Sequence, residues 1–258
     1  MEKLPISLCI ITLNEEHNLD RCLGSVPFVS DIVVLDSGSK DQTKMLALNR
    51  GARVFEEPWQ GFGLQKRRAV ELAANDWVLC LDADEEVTPE LAHEIVQLFK
   101  SPPHVLNRAS GFKMPRRSFH MGRWLYHGGW YPDEQTRLFH RQKLNWSPDK
   151  VHEAVVGEGV QRLKGRLNHY PFESLSDQVQ TNNKYSTLGA QTLLDKGKQI
   201  YFWQLVIKPW IKFVELYLVK KGFLDGIPGF IIAIGGAYSY FLKYAKAWEK
   251  QQVHSQKV

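Results

Sequence analysis

The chain has 258 residues, 43% of them hydrophobic and 24% charged, which allows a buried core and excludes a disordered chain. A net charge of +5 and a pI near 9.0 suit anionic partners, but aromatic-basic repeats of the nucleic-acid-binding kind are absent. Cys9, Cys22 and Cys80 show no paired spacing, so a disulfide framework is excluded and a reducing compartment fits.

The first apolar run, Ile6 to Thr12, reads as a buried strand. It leads straight into Asn14-Glu15-Glu16 without a cleavage site, so no secretory leader is expected. Glu15 to Leu23 reads as a helix, Asp31 to Leu35 as a second strand, and Asp36 to Asp41 as the loop after it. A helix over Gln42 to Asn49, a strand over Ala52 to Glu56 and a basic helix over Gly63 to Ala74 follow. Trp77 to Leu81 is the fourth strand, and Pro89 to Phe99 a helix with Thr88 as its N-cap.

Apolar strands alternating with helices predict a parallel sheet covered on both faces. Ligands bind such sheets outside the carboxyl ends of the strands. That rule selects the loops Thr12 to Glu16, Asp36 to Asp41 and Asp82 to Glu86. No Gly-x-Gly-x-x-Gly follows the first strand, so a dinucleotide fingerprint is missing.

Residues 110–172 are rich in aromatics, Arg, His and Gly, with strand-like pieces at Gly111 to Met114 and Thr136 to His140. This stretch is read as completing a mixed sheet and shaping the acceptor side. From residue 176 the pattern turns helical. Trp203 to Val219 sets aromatics beside Lys208 and Lys212, and Phe223 to Leu242 holds one charge, Asp225. The length approaches a membrane span, yet Asp225, Pro228 and four glycines weaken that assignment. A helix lying in the interface, a re-entrant hairpin and a packed helix pair all stay open.

Asp82, Asp84, Glu85 and Glu86 crowd four carboxylates into five positions, an arrangement that calls for a cation or a helix N-terminus. Asp82 and Asp84 can face one hard cation, Mg2+ or Mn2+, that would stabilise a departing diphosphate. The same residues can also simply lead into the helix at Pro89. Asp36 can accept from a base or a ribose. Lys66, Arg67, Arg116, Arg117 and Arg123 are phosphate candidates. A transferase that activates a hydroxyl needs a base, and Asp133 and Glu153 are the candidates. His152 is read as a metal ligand, a base or an orienting group.

Three motifs, Ile10-Ile-Thr-Leu-Asn-Glu-Glu16, Ile32-Val-Val-Leu-Asp-Ser-Gly-Ser39 and Trp77-Val-Leu-Cys-Leu-Asp-Ala-Asp84, together resemble family 2 inverting glycosyltransferases. Downstream, Gly129-Trp-Tyr-Pro-Asp133, Arg137-Leu-Phe139, Val151-His-Glu153 and Lys221-Gly-Phe-Leu-Asp-Gly226 look like the bacterial lipopolysaccharide-core β-1,4-glucosyltransferase group. The resemblance implies an α/β GT-A fold: a Rossmann-like nucleotide-binding domain over 1–175, with 1–100 holding the nucleotide sugar and 101–175 the acceptor. A helical, membrane-associating region would cover 176–258. It implies a UDP-sugar donor (UDP-glucose in the nearest group), a divalent metal, Mg2+ or Mn2+, and a glycolipid acceptor at the cytoplasmic face of the inner membrane.

Carried over by position, Thr12, Asn14 and Glu16 would line the nucleotide pocket and Asp36 would contact uridine. Lys66 or Arg67 would face base or diphosphate, Asp82 would touch ribose or metal, and Asp84 would ligate the metal. The chain departs from the family at Asp36-Ser37, where many members have two acidic residues. It also lacks the Glu-Asp pair that supplies their base. The alternatives are a polyprenyl-phosphate glycosyltransferase of the same fold and a sugar nucleotidyltransferase.

Overall fold

A computed structural model of the chain describes residues 2–106, 108–148 and 153–255. It divides into two compact units, Met1–Arg116 with Asp133–His169, and Arg117–Pro132 with Tyr170–Val258.

The first unit opens with β1 (Leu4–Thr12), α1 (Leu19–Gly24), β2 (Val29–Asp36), α2 (Thr43–Asn49), β3 (Arg53–Glu56), α3 (Phe62–Glu71) and β4 (Trp77–Asp82). A short strand β5 (Glu85–Val87) then stands where the sequence suggested only a loop. Next come α4 (Pro89–Lys100), α5 (Pro103–Leu106) and β6 (Gly111–His120), the last of which runs on into the second unit together with β7 (Arg123–Leu125). The first unit resumes with β8 (Asp133–His140), β9 (Asn145–Trp146), β10 (Val155–Val156), β11 (Val160–Arg162) and β12 (Leu167–His169).

Strands follow the order β3-β2-β1-β4-β8-β6-β12-β5. The first four are parallel, and β8 joins β4 antiparallel, with Val78 opposite Phe139. The expected mixed sheet is therefore present.

Alternation along the strands sends Ile6, Leu8, Ile10, Leu79 and Leu81 into one core, and Cys9, Val78 and Cys80 into another. Leu91 and Ile95 of α4 cover the first face, and Ala69 and Val70 of α3 the second. Burial on both faces is why these strands read as unbroken apolar runs. Thr88 caps α4 as expected, accepting from the Leu91 amide at 3.3 Å. Helix α1 starts later than the sequence suggested, because Glu15 to Asn18 serve the loop after β1 instead. All three cysteines are free and buried.

In the second unit the end of β6 turns back through Met121 and Gly122, both at positive φ, to pair with β7. Helix α6 (Leu175–Asp195) begins with a capping box made by Ser174 and Asp177. Helix α7 (Phe202–Val214), a π-helical turn (Glu215–Val219) and a 3-10 turn (Gly222–Asp225) lead into α8 (Gly226–Ser255). The apolar C-terminal stretch is thus one unbroken helix, not a hairpin within itself.

Close approach accounts for its glycines. A Cβ on Gly229 would collide with the Gly222 carbonyl, and one on Gly236 would lie 2.5 Å from Leu216. The lone acid of that stretch, Asp225, is 2% exposed. It accepts from the amides of Tyr126 (3.1 Å) and His127 (2.8 Å) and lies 3.0 Å from His127 Nδ1.

Candidate active site

The loops after β1 and β2 are stitched together. The Asn14 amide donates to Ser39 Oγ (2.8 Å), Glu15 to Thr43 Oγ1 (2.8 Å) and Glu16 to Asp41 Oδ2 (3.2 Å). In return the Lys40 amide donates to Asn14 Oδ1 (2.9 Å) and the Gln42 amide to Glu16 Oε2 (2.8 Å). Asn14 adopts φ 56°, a left-handed conformation that Asn tolerates better than most residues.

Asp36 organises this pair of loops from within. It is fully buried and accepts from Thr12 Oγ1 (2.9 Å), Ser39 Oγ (2.5 Å), and the amides of Gly38 (2.9 Å) and Ser39 (2.7 Å). Direct contact between Asp36 and a nucleotide base would require one of those bonds to open. Thr12 is buried beside it, while Asn14 stays exposed.

Asp82 ends β4 on the face that α3 covers, and the structure surrounds it with cations. Lys66 Nζ lies 2.8 Å away, Arg137 Nη2 2.5 Å and Arg116 Nη1 4.0 Å. Burial alone would push its carboxyl up, but Arg137, Lys66 and Arg116 overrule that and hold it well below the usual carboxylate range. Arg116 and Arg137 also each reach Glu85 Oε1 at 2.7 Å, and Glu85 is fully buried.

Lys66 spends its charge inward, on Asp82 and on Glu153 at 2.8 Å, with its ammonium 4.6 Å from the Trp146 ring centroid. Arg67 next to it is half-buried. Asp133 lies opposite Arg116 in the β6–β8 register and accepts from its Nε (2.9 Å) and Nη2 (2.6 Å). Its other oxygen accepts from Gln135 at 2.7 Å. Asp133 keeps 36% of its side chain exposed against 15% for Glu153. His152 lies outside the described residues.

Asp84 meets a different environment. Antiparallel pairing of β12 with β5 sets His169 opposite Glu85 and brings its Nε2 to 3.3 Å from Asp84 Oδ2. Glu15 faces the same acidity. Burial pushes its carboxyl up, a hydrogen bond from Asn18 opposes this, and the charges of Asp84, Asp41 and Asp82 push it further. Carboxylates that repel one another beside a histidine nitrogen offer the hard oxygen and borderline nitrogen donors that suit Mg2+ or Mn2+. Among the described residues no three His, Cys, Asp or Glu side chains gather into a complete metal cage. Metals that act on nucleotides commonly take one or two protein ligands and complete their shell with phosphate oxygens and water.

Comparison with known proteins agrees with the sequence motifs. The model for Glycosyl transferase family 2 matches residues 7–162. The chain belongs to this family. The family 2 chain is 33% identical to the lipopolysaccharide core biosynthesis glycosyltransferase LpsC of Rhizobium meliloti, over 96% of its own length and 93% of that protein. It is 30% identical to an uncharacterised glycosyltransferase of Rickettsia typhi, over 95% and 87%. Among solved structures it is similar to Staphylococcus aureus TarS in complex with UDP-GlcNAc (TM-score 0.48, 13% identity, 100% of this chain and 92% of that one). It is also similar to Mycobacterium tuberculosis glucosyl-3-phosphoglycerate synthase with Mn2+, UDP-glucose and phosphoglyceric acid (TM-score 0.35, 24% identity, 46% and 45%). The enzyme is a glycosyltransferase of the GT-A fold, in the group that contains LpsC. Family membership sets the nucleotidyltransferase alternative aside.

Reading the sequence singled out the acidic loop, Glu85 included, but gave no role to Glu15 or His169 and did not show that Arg116 and Arg137 pair with Glu85, Asp82 and Asp133. Strand alternation and the position of Lys66 one turn before Ala69 and Val70 carried a signal for the Lys66–Asp82 pair. A family-like motif marked Arg137 without its partner and nothing local marked His169; both arrive through antiparallel pairings across long stretches of chain.

Proposed function

We propose that this glycosyltransferase moves glucose from UDP-glucose, with inversion, onto a sugar hydroxyl of a lipopolysaccharide-core glycolipid. The reaction would take place at the cytoplasmic face of the inner membrane, where the enzyme is peripherally bound. The likeness to LpsC supports the acceptor class. The observation that carries the donor side is the Asp84–His169 pair beside the electrostatically repelled Glu15, at the carboxyl ends of β1 and β4.

Asp84 and His169 would hold Mg2+ or Mn2+, which supplies positive charge to the diphosphate as it departs. Asp82 acts through the cation network, keeping Lys66, Arg116 and Arg137 in place below the loop. Thr12, Asn14, Glu16 and Asp36 shape the nucleotide pocket through their cross-loop bonds, and Arg67 remains a phosphate candidate. Asp133, the more exposed of the two base candidates, takes the proton of the acceptor hydroxyl. That oxygen bonds to the anomeric carbon as the bond to the diphosphate oxygen breaks, and UDP leaves with the electron pair.

One observation favours the second acceptor class, a polyprenyl phosphate. Asp133 and Glu153 are both engaged in ion pairs, with Arg116 and Lys66, whereas an anionic acceptor needs no base. A screen of UDP-sugars for acceptor-dependent UDP release, followed by mass analysis of lipopolysaccharide from a deletion strain, tests the proposal. An unchanged core in that strain would refute it. Full activity of Asp133→Ala and Glu153→Ala variants would transfer support to the polyprenyl-phosphate acceptor.

A further inference from the structure

Helix α7 is amphipathic in the reverse of the usual sense. Its exposed residues are Phe202 (77%), Trp203 (50%), Val206, Ile207, Trp210 (67%) and Ile211, an unbroken helical stripe of large apolar side chains. Gln204, Lys208 and Lys212 occupy the half-buried side. Helix α8 repeats the pattern, presenting Ile227, Phe230, Ile234, Tyr238 and Phe241 at spacings of one helical face. Aromatic contacts join the two stripes, since Phe213 stacks on Trp210 and Tyr217, and both Phe213 and Tyr217 meet Phe230 edge-on. A continuous apolar surface of this extent, left facing outward, marks an interaction site.

The opposite side of α8 excludes a span. By length and composition Gly222–Val253 could cross a membrane. Yet α8 is bonded along its length to polar partners. Asn182 of α6 donates to the Gly235 carbonyl (3.4 Å), and Lys246 reaches the Asn183 carbonyl (2.8 Å), Ser186 (2.8 Å) and Thr187 (2.8 Å). Gln251 accepts from the Ile200 amide (3.0 Å). At its other end the turn is held by Gly128 donating to the Lys220 carbonyl (2.8 Å) and by the bonds of Asp225 to Tyr126 and His127. A helix lined by the polar residues of α6 cannot sit at the centre of a hydrocarbon slab, where polar groups lose their water.

The charge around the surface completes the description. Residues 196–255 contain nine lysines, no arginine and three carboxylates. Burial lowers the Lys243 ammonium, and the charges of Lys198 and Lys196 lower it further, so these cations repel one another. Tyrosine and tryptophan at an apolar boundary, flanked by lysines, suit the headgroup level of an anionic bilayer.

We infer that α7 and α8 lie side by side in the plane of one leaflet, their joined apolar stripes embedded in an anionic lipid surface, with neither helix crossing it. This rests on the membrane-surface reading above and defines its geometry.

Flotation of the full-length protein with phosphatidylglycerol vesicles, compared with phosphatidylcholine vesicles, tests it. Wild type should partition at least ten-fold more strongly into the anionic vesicles. Phe202→Glu/Trp210→Glu should lose at least ten-fold of that partitioning while keeping wild-type UDP binding, which reports on the fold of the first unit. Cysteines placed by Lys221→Cys and Glu249→Cys should both react with an impermeant maleimide from the same side of inverted membrane vesicles. Labelling from opposite sides overturns the in-plane geometry and peripheral binding together; flotation unaffected by the double substitution overturns the geometry alone and leaves peripheral binding standing. Absence of flotation by the wild type overturns both. So does a detergent-free dimer that Phe202→Glu/Trp210→Glu dissolves without any lipid binding.

Discussion

Asp82 and Asp84 stand two residues apart, and the structure predicts opposite consequences for losing them. Asp82→Ala removes the carboxylate shared by Lys66 and Arg137, whose side chains are only 8% and 3% exposed. Breaking a buried pair on one side costs about 3–5 kcal/mol when the remaining charge has no other partner. Here Lys66 keeps Glu153 and Arg137 keeps Glu85, so the lower end, about 3 kcal/mol, applies. For a chain of this size that corresponds to a fall in Tm of about 6–12 °C. Asp84→Ala removes a carboxylate that, among the described residues, forms an ion pair with His169 and with no lysine or arginine, and it relieves the repulsion on Glu15, so stability should stay within about 0.5 kcal/mol of wild type. Its activity should fall by about 1,000-fold or more, because a metal's charge on a leaving diphosphate contributes several kcal/mol. Differential scanning calorimetry in metal-free buffer and Mn2+-dependent UDP release measure the two effects. Equal Tm losses for the two variants, or an active Asp84→Ala enzyme, would refute the division of roles.

Other expectations follow from the same groups. Because the folded-state carboxyl of Asp82 is depressed, its contribution is present above the unfolded value of about 3.9 and is lost as pH falls below it. The Tm gap between wild type and Asp82→Asn should therefore narrow between about pH 5 and pH 2 in scanning fluorimetry. Glu15 is shifted the other way, so its ionised form opposes folding at neutral pH. Glu15→Gln should raise Tm without metal and weaken the Mn2+ dependence of UDP binding, seen by calorimetry. His169→Ala should raise the Mn2+ concentration needed for half-maximal UDP binding by about 10-fold or more while Tm changes little. No shift in that requirement would remove His169 from the proposed metal site.

How far the site was legible depends on whether its geometry was local. The β1, β2 and β4 strands and the loops after them could be read because doubly buried parallel strands leave apolar runs, and ligand loops follow their carboxyl ends. The cross-loop bonds could not, since Asn14 to Ser39 or Glu16 to Asp41 are turn contacts with no periodic signature. After residue 110 the strand-like pieces Gly111 to Met114 and Thr136 to His140 lie inside β6 and β8, but their place in the sheet was not legible, because the strands there enter out of chain order. The glycines of α8 count in the sequence against a membrane span, and nothing in the pattern shows that Gly229 and Gly236 are where Gly222 and Leu216 press against the helix.

The contrast between the two aspartates itself comes from strand geometry. Val78, Cys80 and Asp82 alternate onto the face covered by α3, where Ala69 and Val70 pack and Lys66 lies one turn earlier. A carboxylate at the end of that row must enter the covered face, and only an ion network can hold it there. The same antiparallel β8 that pairs with β4 supplies Arg137, and β6 supplies Arg116, so the network consists of strand neighbours and one helix. Asp84 lies past the end of β4, free of that alternation. The pairing of β5 with β12 then fixes what it faces, His169, and leaves its charge and that of Glu15 uncompensated by any arginine or lysine ion pair among the described residues. The Asp-x-Asp spacing therefore places one carboxylate inside a network of lysine and arginine ion pairs and the other outside it, and Asp84 is the one proposed to offer its charge to a metal and its nucleotide.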